Sequence, residues 1–286
     1  MTAYLRLMRP KQWTKNLFVL SAVAFSGRWT DPAAVLSAVL AAVAFVLASA
    51  AVYAINDAAD AEADRNHPKK RLRPVAAGQI GVAQARLFAV LLAAAGLGLA
   101  GWLGWPTLAV TAAYLALNLA YSFRLKHLPL IDVIVIAAGF LLRVLAGCTA
   151  IAVEPSPWLL LCTAFLALFI ALAKRRQELS RGNAEAARKV MAGYSLPLLD
   201  QFITCMMATT ILTYLMYAHT VHHARPLFML TVLFVLYGLF RYLHLLHFQE
   251  TAERPEDAVF TDLPLLVTVL LWGVTCVGFL YWEKVA

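Results

Sequence analysis

Nine apolar stretches, separated by polar breaks, run along this chain of 286 residues. A membrane-spanning α-helix needs about 20 mostly apolar residues. The predicted membrane helices cover residues 14–27, 34–55, 84–103, 106–121, 130–152, 157–173, 198–219, 226–247 and 264–282. The first follows a basic start, as a signal peptide does, but no small-residue cleavage site precedes Asp31, so we interpret it as a helix. The pattern predicts an all-α polytopic membrane protein with one integral-membrane domain over residues 1–286.

Composition supports the same class. Apolar residues make up 62% of the chain and charged residues 14%, with a mean hydropathy of +0.73. A soluble domain is roughly 45–50% apolar and about 25% charged, so this apolar excess does not fit inside a soluble core. Four cysteines make no disulfide framework, and the composition excludes disorder.

The basic residues predict which side of the membrane each loop faces. With the N-terminus in the cytoplasm, 19 of the 24 lysines and arginines fall in cytoplasmic segments and three in outer ones. Basic loops stay on the cytoplasmic side, so we predict a cytoplasmic N-terminus. The loops at 56–82, 174–197 and 248–263 are long and charged, and long loops in compact proteins are usually functional. We therefore expect the chemistry on the cytoplasmic face, and we attribute the net charge of +8 to basic loops and anionic ligands rather than to nucleic acid.

The richest segment begins with an acidic stripe. Asn56, Asp60 and Asp64 are spaced at i, i+4 and i+8, with Asp57 beside them, so a helix that continues for two turns places four oxygen-bearing side chains together. Like charges four residues apart repel on a helix unless a cation neutralises them. Carboxylate and amide oxygens suit Mg²⁺, which also bridges to substrate phosphates. The alternative is a solvated helix end.

A basic run follows the acidic stripe at once. Prolines at 68 and 74 flank cationic side chains that are typical phosphate ligands. These are Lys69, Lys70, Arg71 and Arg73. Acids for a metal followed by bases for phosphates predict a diphosphate site, although a basic loop also sets topology or touches anionic lipid.

Three further places carry candidate chemistry. In residues 172–183, Lys174, Glu178 and Arg181 share a helical face that suits a metal ligand and phosphate clamps, or a plain topology anchor. Arg143 lies near the middle of a predicted membrane helix, where it should face the bundle interior and meet an anion, either an acid of another helix or a lipid phosphate. The loop before that helix carries polar side chains that suit a phosphorylated group: Tyr121, Ser122, Lys126, His127 and Asp132.

The NDxxDxxxD spacing at residues 56–64 resembles the first aspartate-rich motif of the UbiA superfamily of membrane prenyltransferases. Further segments resemble its decaprenyl-phosphate phosphoribosyltransferase branch: RLMRPKQWTKN (6–16), NDAADAEADRNHPKKRLRPVAAG (56–78), LKH (125–127), GFLLRVLAG (139–147), AKRRQEL (173–179), RKVMAGYS (188–195) and RPEDAVFTD (254–262). The resemblance implies transfer of 5-phosphoribose from 5-phosphoribosyl 1-diphosphate to a polyprenyl phosphate, in the route to decaprenylphosphoryl arabinose and cell-wall arabinan. It also implies a multi-pass protein of the bacterial plasma membrane.

Site residues follow from the motifs and the resemblance together. The expected Mg²⁺ ligands are Asn56, Asp57, Asp60, Asp64 and Glu178, with Asp57, Asp60 and Asp64 as the catalytic residues. The expected substrate-binding residues are Lys15, Arg65, His67, Lys69, Lys70, Arg71, Arg73, Tyr121, Lys126, Arg143, Lys174, Arg175 and Tyr194. Isoprenoid-transferring members usually repeat DxxxD after helix 6, where this chain has KRRQEL with the single acid Glu178. A donor with an extra 5-phosphate and a phosphate acceptor both fit that added positive charge.

Two other functions stay open from the sequence. A prenyltransferase acting on an aromatic or other small acceptor would use the same acids, because both reactions place a carbocation beside a metal-bound diphosphate. An anion transporter would show internal repeats and interrupted helices near mid-membrane, and charge at depth appears only at Arg143. Homo-oligomerisation is left open.

Overall fold

The computed structural model describes residues 2–180, 189–221, 226–248 and 258–285, and all regular structure in those ranges is helical. The α-helices are α1 (Ala3–Leu7), α2 (Ser21–Phe25), α3 (Pro32–Ala59), α4 (Ala61–Arg65), α5 (Val82–Leu103), α6 (Trp105–Phe123), α7 (Ile131–Ala150), α8 (Pro157–Ser180), α9 (Leu196–Val221), α10 (Thr231–Phe248), α11 (Ala258–Thr261) and α12 (Leu263–Val285). Short 3₁₀ segments cover Pro10–Leu20, Arg28–Thr30, Lys70–Leu72, Leu125–His127, Lys189–Gly193 and Pro226–Leu230. The predicted all-α class is confirmed.

Six helical segments within the described ranges are long and apolar enough to cross a membrane. They are α3, α5, α7, α8, α9 over Leu196–Thr220, and Leu227–Phe248. The apolar part of α12, Leu263–Phe279, is shorter. Helices also occupy the remaining predicted stretches, but the nine crossings and the cytoplasmic N-terminus stay predictions.

The first predicted membrane helix, residues 14–27, differs from the structure. The chain there forms the 3₁₀ segment Pro10–Leu20 and then the short helix α2, instead of one continuous α-helix. Asn16 is buried in this segment and bonds to side chains of two other helices, including Ser49 of α3 at 3.4 Å. These hydrogen bonds hold the polar side chain of Asn16 inside the protein. A continuous apolar membrane helix would not make such contacts.

Contacts divide the chain into two compact units. The first unit contains residues 1–124 and 139–155, and the second contains residues 125–138 and 156–286. The helix α7 therefore contributes its first residues to the second unit and the rest to the first. The single catalytic domain stays a prediction.

Small residues allow close helix packing in the first unit. The long helix α3 packs mainly against α5, and Ala41, Ala44 and Ala48 of α3 are fully buried. A Cβ on Gly96 of α5 would lie 3.0 Å from the carbonyl oxygen of Ala44, so the two backbones approach closely. Small residues at such contacts are typical of helix packing in membranes, where lipid removes the usual hydrophobic drive for association.

Larger side chains fill the second unit. Phe169 of α8 and Tyr242 of α10 lie in its core with ring centroids 5.3 Å apart. Leu199 and Ile203 of α9 are fully buried in the same cluster. This core holds the C-terminal end of α8, which carries Glu178, against the start of α9.

Candidate functional site

The acidic motif lies at the junction of α3 and α4. Asp60 follows the last residue of α3 and precedes α4, with φ −92° and ψ 5°. The backbone N–H of Asp60 donates to Asn56 O at 2.9 Å, and that of Asp64 donates to Asp60 O at 2.8 Å. The predicted helix does not continue unbroken for two turns, but these bonds preserve the i, i+4 spacing across the junction. Asp57 and Asp64 therefore come to the same side.

A single guanidinium joins the two buried aspartates. Arg73 Nη1 lies 2.7 Å from Asp64 Oδ2 and 3.3 Å from Asp57 Oδ1. The side chains of Asp57 and Asp64 are 2% and 5% exposed, whereas that of Arg73 is 28% exposed. Arg73 was predicted as a phosphate ligand, and the structure places it directly on the acids predicted to hold the metal.

Arg9 is a second cation on Asp57, and the sequence reasoning missed it. Its Nη2 donates to Asp57 Oδ1 at 2.5 Å, and its guanidinium lies 4.8 Å from the ring centroid of Tyr53 on α3. Arg9 adopts a left-handed conformation, with φ 53°, between α1 and the following 3₁₀ segment. This conformation is uncommon for a non-glycine residue. The available signal was its place in the motif RLMRPKQWTKN, which nevertheless contains three other cations.

The basic loop after α4 presents exposed cations beside these acids. His67 Nδ1 accepts from the backbone N–H groups of Lys69 and Lys70, at 3.2 and 3.3 Å, and so folds the loop back on itself. Arg65, Lys69 and Arg71 are exposed, whereas His67, Lys70 and Arg73 are half-buried. The predicted pairing of acids and bases within one segment is therefore present in the structure.

The donor chemistry of the acidic motif fits Mg²⁺. Among the described residues, no three His, Cys, Asp or Glu side chains come close enough to hold a metal by themselves. Mg²⁺ does not require such a cage, because one or two carboxylates usually hold it together with water and substrate phosphates. Asp57 and Asp64, which share Arg73, form such a pair.

Arg143 meets neutral groups rather than the anion predicted for it. Its guanidinium, 5% exposed, donates to Asn16 Oδ1, Gly139 O and Tyr114 Oη, each at 2.9 Å. It also lies 4.7 Å from the ring centroid of Tyr114 and 5.5 Å from that of Phe140. Carbonyl, amide and phenol oxygens with two aromatic faces stabilise this buried charge. The arginine thereby ties α7 to α6 and the first 3₁₀ segment.

In the second unit the charges are arranged around Arg175. Its Nε donates to Asp132 Oδ2 at 2.7 Å and its Nη1 to Glu178 Oε2 at 2.5 Å. Arg175 is 1% exposed and Asp132 is fully buried. Arg175 was predicted to bind substrate, but its guanidinium lies inside the unit and is held by two acids. A buried guanidinium with these partners does not present itself to a ligand.

Tyr194 completes the same network. Its hydroxyl donates to Asp132 Oδ1 at 2.7 Å and accepts from the backbone N–H of Leu130 at 2.8 Å. Burial, and then the hydrogen bond to Asp132, raise the pKa of Tyr194 to about 12. Tyr194 was predicted to bind substrate, and the structure gives its hydroxyl two internal partners. Asp132, weighed only as one polar residue of a short loop, is the centre of the network.

The other predicted residues are more open. Lys15, Tyr121, Lys126, Lys174 and Glu178 are half-buried. Glu178 is the most accessible acid of the Arg175 network, with a side chain 39% exposed. Arg181, predicted to share the helical face of Lys174 and Glu178, lies outside the described residues.

Comparison with known proteins finds a matching family and several relatives. The model of the UbiA prenyltransferase family matches residues 16–263. The decaprenyl-phosphate phosphoribosyltransferase of Mycolicibacterium smegmatis is 42% identical over 211 residues, which cover 72% of this chain and 66% of that protein. The one of Corynebacterium glutamicum is 39% identical over 213 residues, which cover 72% and 64%. The chain spans about two thirds of the length of these relatives.

The fold also has a solved counterpart. The structure of a UbiA homolog from Archaeoglobus fulgidus bound to GPP and Mg²⁺ matches this chain with a TM-score of 0.74 and 21% identity. The match covers 97% of this chain and 100% of that one. At this identity the likeness concerns the fold.

Proposed function

This chain belongs to the UbiA prenyltransferase family, and from that premise we propose that it transfers 5-phosphoribose from 5-phosphoribosyl 1-diphosphate to a polyprenyl phosphate. The observation that carries the proposal is the pair of buried aspartates, Asp57 and Asp64, joined by Arg73 beside a loop of exposed cations. Such a site suits a diphosphate held by metal and by cationic side chains. About 40% identity to relatives named decaprenyl-phosphate phosphoribosyltransferase supports the choice of donor.

The acids of the motif would hold Mg²⁺ on the diphosphate of the donor. Asp57 and Asp64 are the principal ligands in this proposal, with Asn56 and Asp60 beside them. Glu178 is proposed separately, as a metal ligand of the second unit. The metal would supply neutralisation of the charge that develops on the departing diphosphate. It suits the oxygen donors present here.

The cations of the first unit bind the phosphates of the donor in this proposal. Arg65, Lys69 and Arg71 are exposed, and Arg73 already lies on the carboxylates. Arginine forks bind two phosphate oxygens at once, whereas lysines act as point charges. We assign the 5-phosphate and the diphosphate to this set together with Lys15 and Lys70. Lys174 of the second unit is a separate candidate for binding phosphate.

The reaction needs no strong base. The bond between the anomeric carbon and the diphosphate oxygen breaks, the electron pair leaves with diphosphate, and the ribose passes through an oxocarbenium-like state. An oxygen of the polyprenyl phosphate attacks from the opposite face. A phosphate monoester has a second pKa near about 6, so the acceptor is already mostly dianionic at neutral pH. Tyr121 and Lys126 are the candidates for orienting it.

Two residues take different roles from those expected. Arg143 and Arg175 are buried and held by internal partners, so we assign both to positioning neighbouring groups rather than to binding phosphate. The acidic motif and the basic loop face the cytoplasm of a bacterial plasma membrane in this proposal. That orientation rests on the distribution of basic residues.

A transfer assay on detergent-purified protein tests the function. Radiolabelled phosphoribosyl diphosphate plus polyprenyl phosphate is compared with labelled prenyl diphosphate plus aromatic acceptors, both with Mg²⁺. We expect label from phosphoribosyl diphosphate in the lipid phase. Transfer from the prenyl donor alone would make the chain an ordinary prenyltransferase, and flux into liposomes without bond cleavage would make it a transporter.

A further inference from the structure

A fully buried carboxylate lies at the centre of the second unit. Asp132, in the first turn of α7, accepts from Arg175 Nε at one oxygen and from the Tyr194 hydroxyl at the other, both at 2.7 Å. With 0% exposure it touches no substrate. Any effect of Asp132 on the reaction must therefore pass through these two partners.

Hydrogen bonds connect the buried Asp132, through Arg175, to the half-exposed Glu178. Asp132 accepts from Nε of Arg175 and Glu178 accepts from its Nη1, so two acids fix the plane of the guanidinium. Glu178 follows Arg175 by three residues on α8, and its side chain is 39% exposed. An ion pair with a half-exposed acid adds little stability. Its larger consequence is the orientation of the Glu178 carboxylate.

Tyr194 holds Asp132, the buried acid of this network, in place. Its hydroxyl also accepts from the N–H of Leu130, which has a left-handed backbone with φ 66°. Next to Tyr194, Gly193 packs so tightly on Pro129 that a Cβ would lie 2.4 Å from a proline side-chain carbon. Strained backbone persists only where its surroundings fix it. The loop before α7 and the segment before α9 are thus locked together around Asp132.

We infer that Asp132 and Tyr194 are positioning residues that set the orientation of Glu178 through Arg175, and thereby the affinity of the Glu178 carboxylate for a divalent metal with diphosphate. This inference rests on the proposed function only in taking Glu178 as a ligand of that metal. It adds two residues that do not touch substrate, and it replaces substrate binding as the role of Tyr194.

The test is a binding measurement that does not depend on turnover. Purified protein is titrated with Mn²⁺ in the presence of inorganic diphosphate, and free Mn²⁺ is followed by electron paramagnetic resonance. We expect Tyr194→Phe to weaken Mn²⁺ binding about 3- to 10-fold, the size of one lost hydrogen bond. On a Glu178→Gln background the same change should have no further effect, because both act on one carboxylate.

A matched control comes from the neighbouring ion pair. Arg176 of α8 pairs with Asp200 of α9 in the same unit, and this pair does not include Glu178. Asp200→Asn should leave Mn²⁺ binding unchanged. Unfolding temperatures of all variants separate loss of binding from loss of fold. Asp132→Asn serves as the second probe if Tyr194→Phe does not fold.

Each outcome is decisive. Additive effects of Tyr194→Phe and Glu178→Gln, normal binding by Glu178→Gln, or equal weakening by Asp200→Asn would overturn the inference. Wild-type protein that binds Mn²⁺ and diphosphate but transfers no phosphoribose would refute the proposed function alone. Wild-type protein that transfers phosphoribose, with Tyr194→Phe binding Mn²⁺ normally, would refute the positioning role alone.

Discussion

The charged networks of the two units are built in opposite ways. In the first, Asp57 and Asp64 are buried and the arginines that pair with them, Arg9 and Arg73, have side chains 28–29% exposed. In the second, Arg175 is buried and one of its two acids, Glu178, is 39% exposed. A buried charge that loses its partner is costly, whereas an exposed one is solvated by water. The exchangeable partner, meaning the exposed member that water or a ligand can replace, is therefore a cation in the first unit and a carboxylate in the second.

The strongest test of this difference removes a buried acid from the first unit. Asp64→Ala deletes a carboxylate proposed to hold the metal, and we expect phosphoribosyl transfer to fall by about 10²- to 10³-fold, as for loss of one group that stabilises transition-state charge. The measurement is the initial rate of label transfer into the lipid phase at saturating Mg²⁺.

Glu62 provides the matched control for Asp64. It is an exposed acid on the same short helix, α4, two residues before Asp64. Glu62→Ala makes the same change in net charge, so its rate should stay near wild type. Equal losses from both variants would mean that the general negative charge of the helix matters rather than the buried pair.

Replacing one arginine in each unit should lower the stability of the protein to different extents. Arg175→Met leaves Asp132 buried without its guanidinium, which should destabilise the protein by about 3–5 kcal/mol. Arg73→Met should destabilise it less, because Arg9 still pairs with Asp57 and water reaches the position of the partly exposed Arg73. Thermal unfolding in detergent gives the stability of each variant.

The transfer rate completes this comparison. Arg73→Met should lose more activity than its stability loss explains, because Arg73 is proposed to bind donor phosphate. Similar destabilisation by both variants would contradict the distinction between exchangeable and fixed cations.

Local sequence patterns predicted most of the long helices. Apolar stretches of about 20 residues are short-range features, and α3 and α5 lie close to where those features placed them, whereas the short helix α4 replaces the predicted two-turn continuation of the preceding helix. The boundary at Asp60 was less accessible, because it depends on backbone geometry at one residue.

Partners distant in the chain could not be predicted. Arg9 and Asp57 are 48 residues apart, and Asp132 and Arg175 are 43 residues apart. No periodicity joins such positions, so Arg9 was missed and Arg175 was taken for a phosphate ligand. Arg143 illustrates the same limit, since an interior arginine suggests an anion until its three neutral acceptors are seen.

Glycine substitutions sharpen the comparison of how the units pack. A Cβ on Gly147 of α7 would lie 2.0 Å from the carbonyl oxygen of Val19 in the first unit. Backbone cannot yield as a flexible side chain does, so Gly147→Ala should cost about 1–3 kcal/mol, the usual range for overpacking. The measurement is again the unfolding temperature in detergent.

Two other glycines are the controls for Gly147. A Cβ on Gly98 of α5 would meet nothing within 4 Å, and one on Gly238 of α10 in the second unit would lie 3.8 Å from its nearest neighbour. Alanine at either position should keep or slightly raise stability, because alanine favours a helix over glycine. Destabilisation by Gly98→Ala comparable to that by Gly147→Ala would show that backbone contact is not the cause.

The smallest expected effect concerns an aspartate that caps a helix start and pairs with an arginine, an arrangement that occurs once in each unit. Asp31 precedes α3 and accepts from the N–H groups of Ala33 and Ala34, and Asp262 precedes α12 and accepts from that of Leu265. Each also pairs with an arginine, Arg28 for Asp31 and Arg241 for Asp262, and that hydrogen bond is the main cause that lowers the pKa of each carboxyl below its ordinary 3.8.

A lowered pKa in the folded state stabilises the fold above the unfolded value, and this stabilisation is lost as the pH falls through the folded pKa. Asparagine also caps helices, so Asp31→Asn and Asp262→Asn remove mainly the charge. Each variant should unfold at a lower temperature than wild type at pH 7, and the difference should shrink once the pH falls below about 3.8. The Asp262 variant should show the larger difference, because its side chain is 11% exposed against 37% for Asp31. A difference that persisted unchanged at the lowest pH would mean that the shape of the carboxyl group, rather than its charge, stabilises these helix starts.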